Sequence, residues 1–144
     1  MTILTKNFTL EELTHTDHRE LENVPNETEK ANLMRLAVFL EEIKLLLNNS
    51  PIMVNSAFRS KALNDAVGSK DSSQHRVGCA ADIRVPGLVP DEVVKAIIAS
   101  ELPYDQVIRE FDRWTHVSIP NHETDKPRRQ ALIIDKMGTR PYAY

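Results

Sequence analysis

The feature that most constrains this chain is an apolar stripe between residues 26 and 51. Leu33, Leu36, Leu40, Ile43 and Leu47 recur at intervals of three and four, so on a helix they fall on one side. Asn26 stands where an N-cap belongs, with Glu27 and Glu29 favourable in the first turn, and Asn48-Asn49-Ser50-Pro51 stops the helix. A helix with one apolar face gains its stability from what covers that face. The rest of the chain must therefore fold against it.

The remaining segments are short. Thr9-Leu10-Glu11-Glu12 reads as a capping box that opens a brief helix to about His15, and a polar loop follows to Val24-Pro25. Residues 52–55 form a strand candidate. Ser60 starts a helix over 61–67 that Gly68 stops, and 69–74 is loop-like. Residues 79–85 read as a strand. Pro90 suits the first turn of a helix whose core face is Val93, Val94, Ile97 and Ile98. Residues 104–111 and 114–119 read as two strands joined by a tight turn, and 131–134 as a last strand before an irregular tail. Helices first and strands late imply α+β: N-terminal helices packed on a small, mostly antiparallel sheet, in one domain over residues 1–144.

Composition narrows the chemistry. With a net charge of −3 there is no basic footprint for nucleic acid or an anionic membrane. The single cysteine, Cys79, excludes an internal disulfide and a four-cysteine zinc site, so any metal must use histidine and carboxylate. The N-terminus lacks the basic start and apolar run of a secretory signal, and no stretch of about 18 apolar residues exists to span a membrane. The expectation is a protein made in the cytoplasm that needs help to reach any target outside it.

The stretch Ser73-Gln74-His75-Arg76-Val77-Gly78-Cys79-Ala80-Ala81-Asp82 carries the chemistry. An odd spacing of seven would point His75 and Asp82 to opposite faces of one continuous strand, so they converge only if the chain bends. Gly78, without a Cβ, permits that bend. His75 then sits on the loop before the strand and Asp82 on the strand, with the small Ala80 on the same face leaving room for an ion. Trp114-Thr115-His116-Val117-Ser118 supplies a third donor, because alternation places Trp114, His116 and Ser118 on one face. Two histidines and a carboxylate with a fourth position open is the donor count of a catalytic zinc site. Cys79 alternates away from that face and reads as a buried small hydrophobe.

The pattern Ser-x-His-x-x-Gly-x-Ala-x-Asp, followed by Trp-x-His-x-Ser, resembles the zinc D-Ala-D-Ala carboxypeptidase and phage endolysin family of peptidases, the M15 type. That family shares its fold with the hedgehog signalling domain. The resemblance runs from Phe8 to about Arg129 and includes Asn55-Ser56-Ala57-Phe58-Arg59-Ser60, Asn64-Asp65-Ala66-Val67-Gly68 and Tyr104-Asp105-Gln106-Val107-Ile108. It implies that His75, Asp82 and His116 hold zinc, that Arg59 binds a substrate carboxylate, and that Ser73 and Gln74 line the substrate cleft. Many relatives place the general base three residues before the last histidine, where this chain has Arg113. Glu110 and Asp112 remain. A three-residue turn over 111–113 would pair Glu110 with Trp114 and turn it to the face of His116, whereas a two-residue turn would turn it away. Glu110 is the base expected, with Asp112 as the fallback.

The resemblance further implies a monomeric peptidoglycan endopeptidase of bacteriophage type that cuts stem-peptide or cross-link amide bonds. It would have no separate cell-wall-binding domain, no stable membrane insertion and no nucleic-acid partner. It would lack a signal peptide, be made in the host bacterial cytoplasm, and act on the wall after a membrane-opening partner releases it. The other readings are a D-Ala-D-Ala carboxypeptidase, which would depend on Arg59 gripping a terminal carboxylate, a non-catalytic hedgehog-like zinc module, and a virion structural component. His15, His18 and His122 read as ordinary surface or core histidines. Trp114 is first a packing residue, and Ser118 a strand residue that could hydrogen-bond near the site.

Overall fold

Reciprocal caps start the first two helices in the structure, a computed structural model that describes residues 2–142. Met1 and the last two residues of the tail lie outside the described residues. Thr9 accepts from the Glu12 N–H while Glu12 reaches back to the Thr9 N–H, each at 3.2 Å, and α1 runs over Leu10–Leu13. Asn26 and Glu29 repeat the exchange at 2.8 and 2.9 Å, and α2 runs over Glu27–Leu46. Beyond it Asn48 and Asn49 both take left-handed backbone, which asparagine tolerates better than most residues. All five stripe residues of α2 are buried, joined by Ala37 and Phe39.

Two sheets complete the architecture. A small hairpin pairs β1 (Ile3–Thr5) with β2 (Phe8–Thr9), a feature the sequence reading omits. The large sheet has six strands: β3 (Met53–Ser56), β4 (Ala80–Arg84), β5 (Gln106–Glu110), β6 (Trp114–Ser118), β7 (Gln130–Asp135) and β8 (Gly138–Pro141), in the order β3-β4-β6-β5-β7-β8. Every neighbouring pair is antiparallel except β5 with β7, which the connection through residues 119–129 brings back parallel. The tail expected to be irregular thus adds an edge strand. Arg140 holds it with a two-pronged contact on Asp135 at 2.8 and 2.9 Å.

The expected α+β class is present, but the stacking of helices differs. The helix lying on the large sheet is α4 (Pro90–Ala99), from mid-chain, against β5 and β6. The long α2 packs against β1, α4 and a 3-10 turn over Gln74–Val77 instead. Val93, Val94 and Ile97 of α4 bury with Ala81, Ile83, Val107 and Val117 from one face of the sheet, and the α2 stripe closes the same core. Ile98 is only partly buried. The opposite face of the sheet is left to carry the site. A short helix, α3 (Lys61–Ala66), capped by Ser60, lies next to the 3-10 turn.

Candidate functional site

Strand register builds most of the site. Asp82 on β4 pairs directly with His116 on β6, and His116 pairs with Ile108 on β5. Directly paired residues share a face. One row of the sheet therefore reads Asp82, His116, Ile108, with Leu132 of β7 beyond. The next row reads Trp114, Glu110, Ile134. Residues 111–113 form the hairpin turn, with Phe111 and Asp112 in left-handed backbone, so Glu110 lies opposite Trp114 and faces the same side as His116. Asp112, the middle residue of that turn, is exposed and contacts Arg109 Nε at 3.0 Å.

His75 arrives from outside the sheet. The segment expected to be loop tightens into the 3-10 turn, which ends at Gly78 with φ +81°. A Cβ there would lie 2.9 Å from the Glu29 carbonyl and 3.1 Å from Leu33 Cγ, so Gly78 serves both the bend and the close approach to α2. Asn32 donates to the Val77 carbonyl at 2.8 Å, and Arg76 reaches Glu29 at 3.2 Å and the Arg59 carbonyl at 3.1 Å. The turn is clamped to the helix. Within it, His75 Nδ1 donates to the Ala57 carbonyl at 2.6 Å. A carbonyl can only accept, so Nδ1 carries the proton and Nε2 presents its lone pair to the site.

The three side chains converge. His75 Nε2 lies 3.4 Å from Asp82 Oδ2, His116 Nδ1 lies 3.0 Å from Asp82 Oδ1, and one donor atom from each residue lies within 4.8 Å of the others. Donors around a tetrahedral zinc with bonds of ~2.0–2.1 Å are about 3.3 Å apart, close to the 3.4 and 3.0 Å that separate the Asp82 oxygens from the two histidine nitrogens. All three residues are buried. Burial opposes ionisation of Asp82, but the charges and hydrogen bonds of His75 and His116 outweigh it and hold the carboxyl well below the usual carboxylate range. Burial favours neutral His75, the form a metal ligand needs. Among the described residues, no other His/Cys/Asp/Glu group has this geometry.

Glu110 Oε1 is 4.0 Å from His116 Nδ1, and its other oxygen accepts from the Trp114 indole at 3.0 Å. Burial, with the nearby Asp82 charge, raises its pKa above the ordinary glutamate value. Arg59 donates to Asp82 Oδ2 at 3.4 Å and to Ser56 Oγ at 3.2 Å, which places its guanidinium beside the cluster. These residues line a cleft of about 600 Å³ that also takes in Ser73, Gln74 and Lys70, with Ile108, Leu132 and Ile134 as its apolar lining. Ser73 spends its hydroxyl partly on capping the 3-10 turn, accepting from the His75 N–H at 3.3 Å.

A family model described as Peptidase M15 matches residues 6–118, which span every residue of the cluster. The chain belongs to the peptidase M15 family. No curated protein matches it. Peptidases of the M15 family are generally zinc-dependent, in keeping with the donor set gathered here. Membership supports a peptidase and gives the chemistry its class.

Other features of this M15 chain fall outside the site. His15 and His18 are paired with Asp17 and Glu20 in solvent-facing contacts, and His122 is exposed. Cys79 is fully buried, with its thiol pushed up to about 11 by burial, unsuited to act as a nucleophile. Ser118 Oγ accepts from the Gln106 N–H at 2.9 Å, a strand-pairing role. The sequence reading missed Lys70 and Arg128 as cleft-lining cations. Arg128 sits in a connection without periodicity, and only its proximity to the matched Tyr104-Asp105 segment, through Asp105, brings it to the site.

Proposed function

We propose that the protein is a zinc-dependent endopeptidase of the endolysin kind, acting on the stem peptides or cross-links of bacterial peptidoglycan. The observation that carries this reading is the adjacency of two sheet rows: Asp82 and His116 in one, Glu110 in the next, with His75 closing the cluster from the 3-10 turn. In this reading His75, Asp82 and His116 hold the ion. Zinc, when bound, supplies a Lewis acid for the scissile carbonyl and acidifies the attacking water. Glu110 takes the proton of that water and delivers it to the leaving amine, a task its partly desolvated carboxylate suits. The Trp114 indole fixes which oxygen of Glu110 is free. Arg59 orients a substrate oxygen beside the cluster, and Ser73 and Gln74 line the path of the peptide.

The endopeptidase form, rather than a D-Ala-D-Ala carboxypeptidase, is favoured by the length of the cleft. Ser72, Gln74 and Arg128 on its wall also line a second cavity of about 490 Å³. A chain could thus extend well beyond the cluster. The same reading gives a monomeric enzyme. It is made in the cytoplasm of a phage-infected bacterium and reaches the wall through a partner that opens the membrane. No helix among the described residues is long and apolar enough to cross a membrane. Mass spectrometry of fragments released from purified sacculi by the zinc-loaded protein tests the proposal. Release of stem-peptide fragments, and continued cleavage of a stem peptide whose C-terminus is blocked, are expected. Cleavage that stops on blocking would make it a carboxypeptidase, and no release at all would favour a binding or structural role.

A further inference from the structure

The cleft has a second arginine whose placement calls for more than structural support. Arg128 extends from the connection between β6 and β7, and its Nε and Nη2 donate to Asp105 Oδ2 at 3.0 and 2.6 Å. The Arg128 backbone N–H donates to the other oxygen, Asp105 Oδ1, at 3.0 Å. The Asp105 side chain is 7% exposed and that of Arg128 54%. A buried carboxylate therefore fixes one edge of the guanidinium and leaves the other edge facing outward. Nη2 also points to Gln74 Oε1 at a long 3.5 Å. Among the described residues Nη1 takes no partner, so its two donors are free in a planar group already held in orientation. Such a pre-set fork loses little rotamer freedom on meeting a carboxylate.

Its position gives that fork a task. Arg128, Gln74 and Ser72 line both the metal-cluster cleft and the second cavity, so they stand where the two meet. The metal-cluster cleft is lined by three cations and two acids, against a net charge of −3 for the chain. Arg59, Lys70 and Arg128 face the cleft with only Asp82 and Glu110 as acids, and Lys126 adds to the second cavity beside Asp105 and Asp125. Arg59 is engaged with Asp82, which leaves Lys70 and the outer edge of Arg128 as the donors for a further anionic group.

We propose that Arg128, oriented by Asp105, is a specificity-determining anchor for a substrate carboxylate that lies away from the scissile bond, so that the preferred substrate is an acidic peptide. This rests on the peptidase reading above, and names which feature of a stem peptide the enzyme reads: the free α-carboxylate of its D-glutamyl residue or that of its diamino acid.

Three synthetic L-Ala–D-Glu–diaminopimelate–D-Ala peptides test it, one with all carboxylates free and two with one internal carboxylate amidated. Binding is measured by calorimetry on zinc-loaded protein carrying Glu110→Gln to suppress turnover, and cleavage by mass spectrometry on the protein without that change. One amidation is expected to weaken binding by about 10-fold or more, the size of a charge-assisted hydrogen bond. That loss should shrink to under about threefold when Asp105→Asn and Arg128→Gln are combined, a pair that leaves no buried carboxylate unpaired. Arg128→Lys, which keeps a cation on Asp105 but not the planar fork, should also reduce the loss and serves if the double variant does not fold. The proposal is overturned if neither amidation weakens binding, or if the loss is unchanged in these variants. An amidation effect without any cleavage would remove the peptidase reading while leaving the anchor. Cleavage with no amidation effect would do the reverse.

Discussion

Replacing Gly78 by alanine separates two demands that the fold places on one residue. Gly78 and Gly68 both sit in left-handed backbone, at φ +81° and +75°. At Gly68 an added Cβ would meet nothing within 4 Å, whereas at Gly78 it would lie 2.9 Å from the Glu29 carbonyl oxygen and 3.1 Å from Leu33 Cγ. Gly68→Ala therefore reports backbone strain alone: about 1–2 kcal/mol for a left-handed alanine, offset by the ~0.4–1 kcal/mol that alanine removes from unfolded-chain entropy. The net is about 1 kcal/mol. Gly78→Ala adds overpacking against the α2 backbone, typically about 1–3 kcal/mol, because a helix carbonyl cannot rotate aside as a side chain can. The expected totals are about 2–4 kcal/mol for Gly78→Ala, or a fall in melting midpoint of roughly 5–15 °C. Urea denaturation of the two variants, side by side with the parent, gives the comparison. Equal destabilisation would refute the close approach of the 3-10 turn to α2, and with it the account of how His75 is placed. A larger loss at Gly78 should also weaken zinc binding, because the turn that carries His75 must shift to relieve the contact.

The other predictions concern the site and its supports. Glu110→Gln should lower kcat for stem-peptide cleavage by about 10²–10⁴-fold while zinc content stays at the parent level, and Asp112→Asn should leave the rate unchanged; the opposite pattern would transfer the base to Asp112. Zinc added to metal-free protein should raise the melting midpoint, with about 4 kcal/mol gained at a thousandfold excess over Kd, and His116→Ala should abolish the shift. A full shift in that variant would exclude His116 as a ligand. Burial of Asp105 works against its charge, but hydrogen bonds from Arg128 prevail and hold the carboxyl below its ordinary value of 3.8. Its stabilising contribution is thus present above that value and is lost as pH falls through the lower, folded one. The stability gap between the parent and Asp105→Asn, measured by denaturation from pH 7 to pH 3, should hold steady to about pH 5 and narrow below it. A gap that widens on acidification would contradict the Arg128 contact.

Local signals made much of this protein legible without coordinates. The capping box at Thr9, the N-cap at Asn26 and the α2 stripe depend on neighbours three and four residues apart; both helices start where those rules put them, and α1 ends at Leu13, short of the expected His15. Alternation along β4 and β6 sets the faces of Asp82 and His116, and the bend at Gly78 brings in His75, so the three metal-competent side chains could be named from spacing and motif, while the register that pairs Asp82 with His116 comes from the sheet. The sequence left the turn after Glu110 undecided between two and three residues, because either length is open to Phe111-Asp112-Arg113. The sheet resolves it: the left-handed backbone at Phe111 and Asp112 and the register of β5 on β6 turn Glu110 inward.

What tertiary structure alone decided is long-range. No local pattern says that β7 pairs parallel with β5, that the tail adds β8, or that α4 rather than α2 lies on the large sheet, because each reflects which surfaces remain to be covered once others have paired. The same holds for Arg128. Its residue type is common on any surface, and only the return of the chain over Asp105 holds it at the mouth of the cleft. The metal-competent cluster could be named from the sequence because its residues sit in two short motifs, one that bends at Gly78 and one that alternates along β6. The rest of the cleft could not, because its walls come from segments whose meeting depends on the whole core.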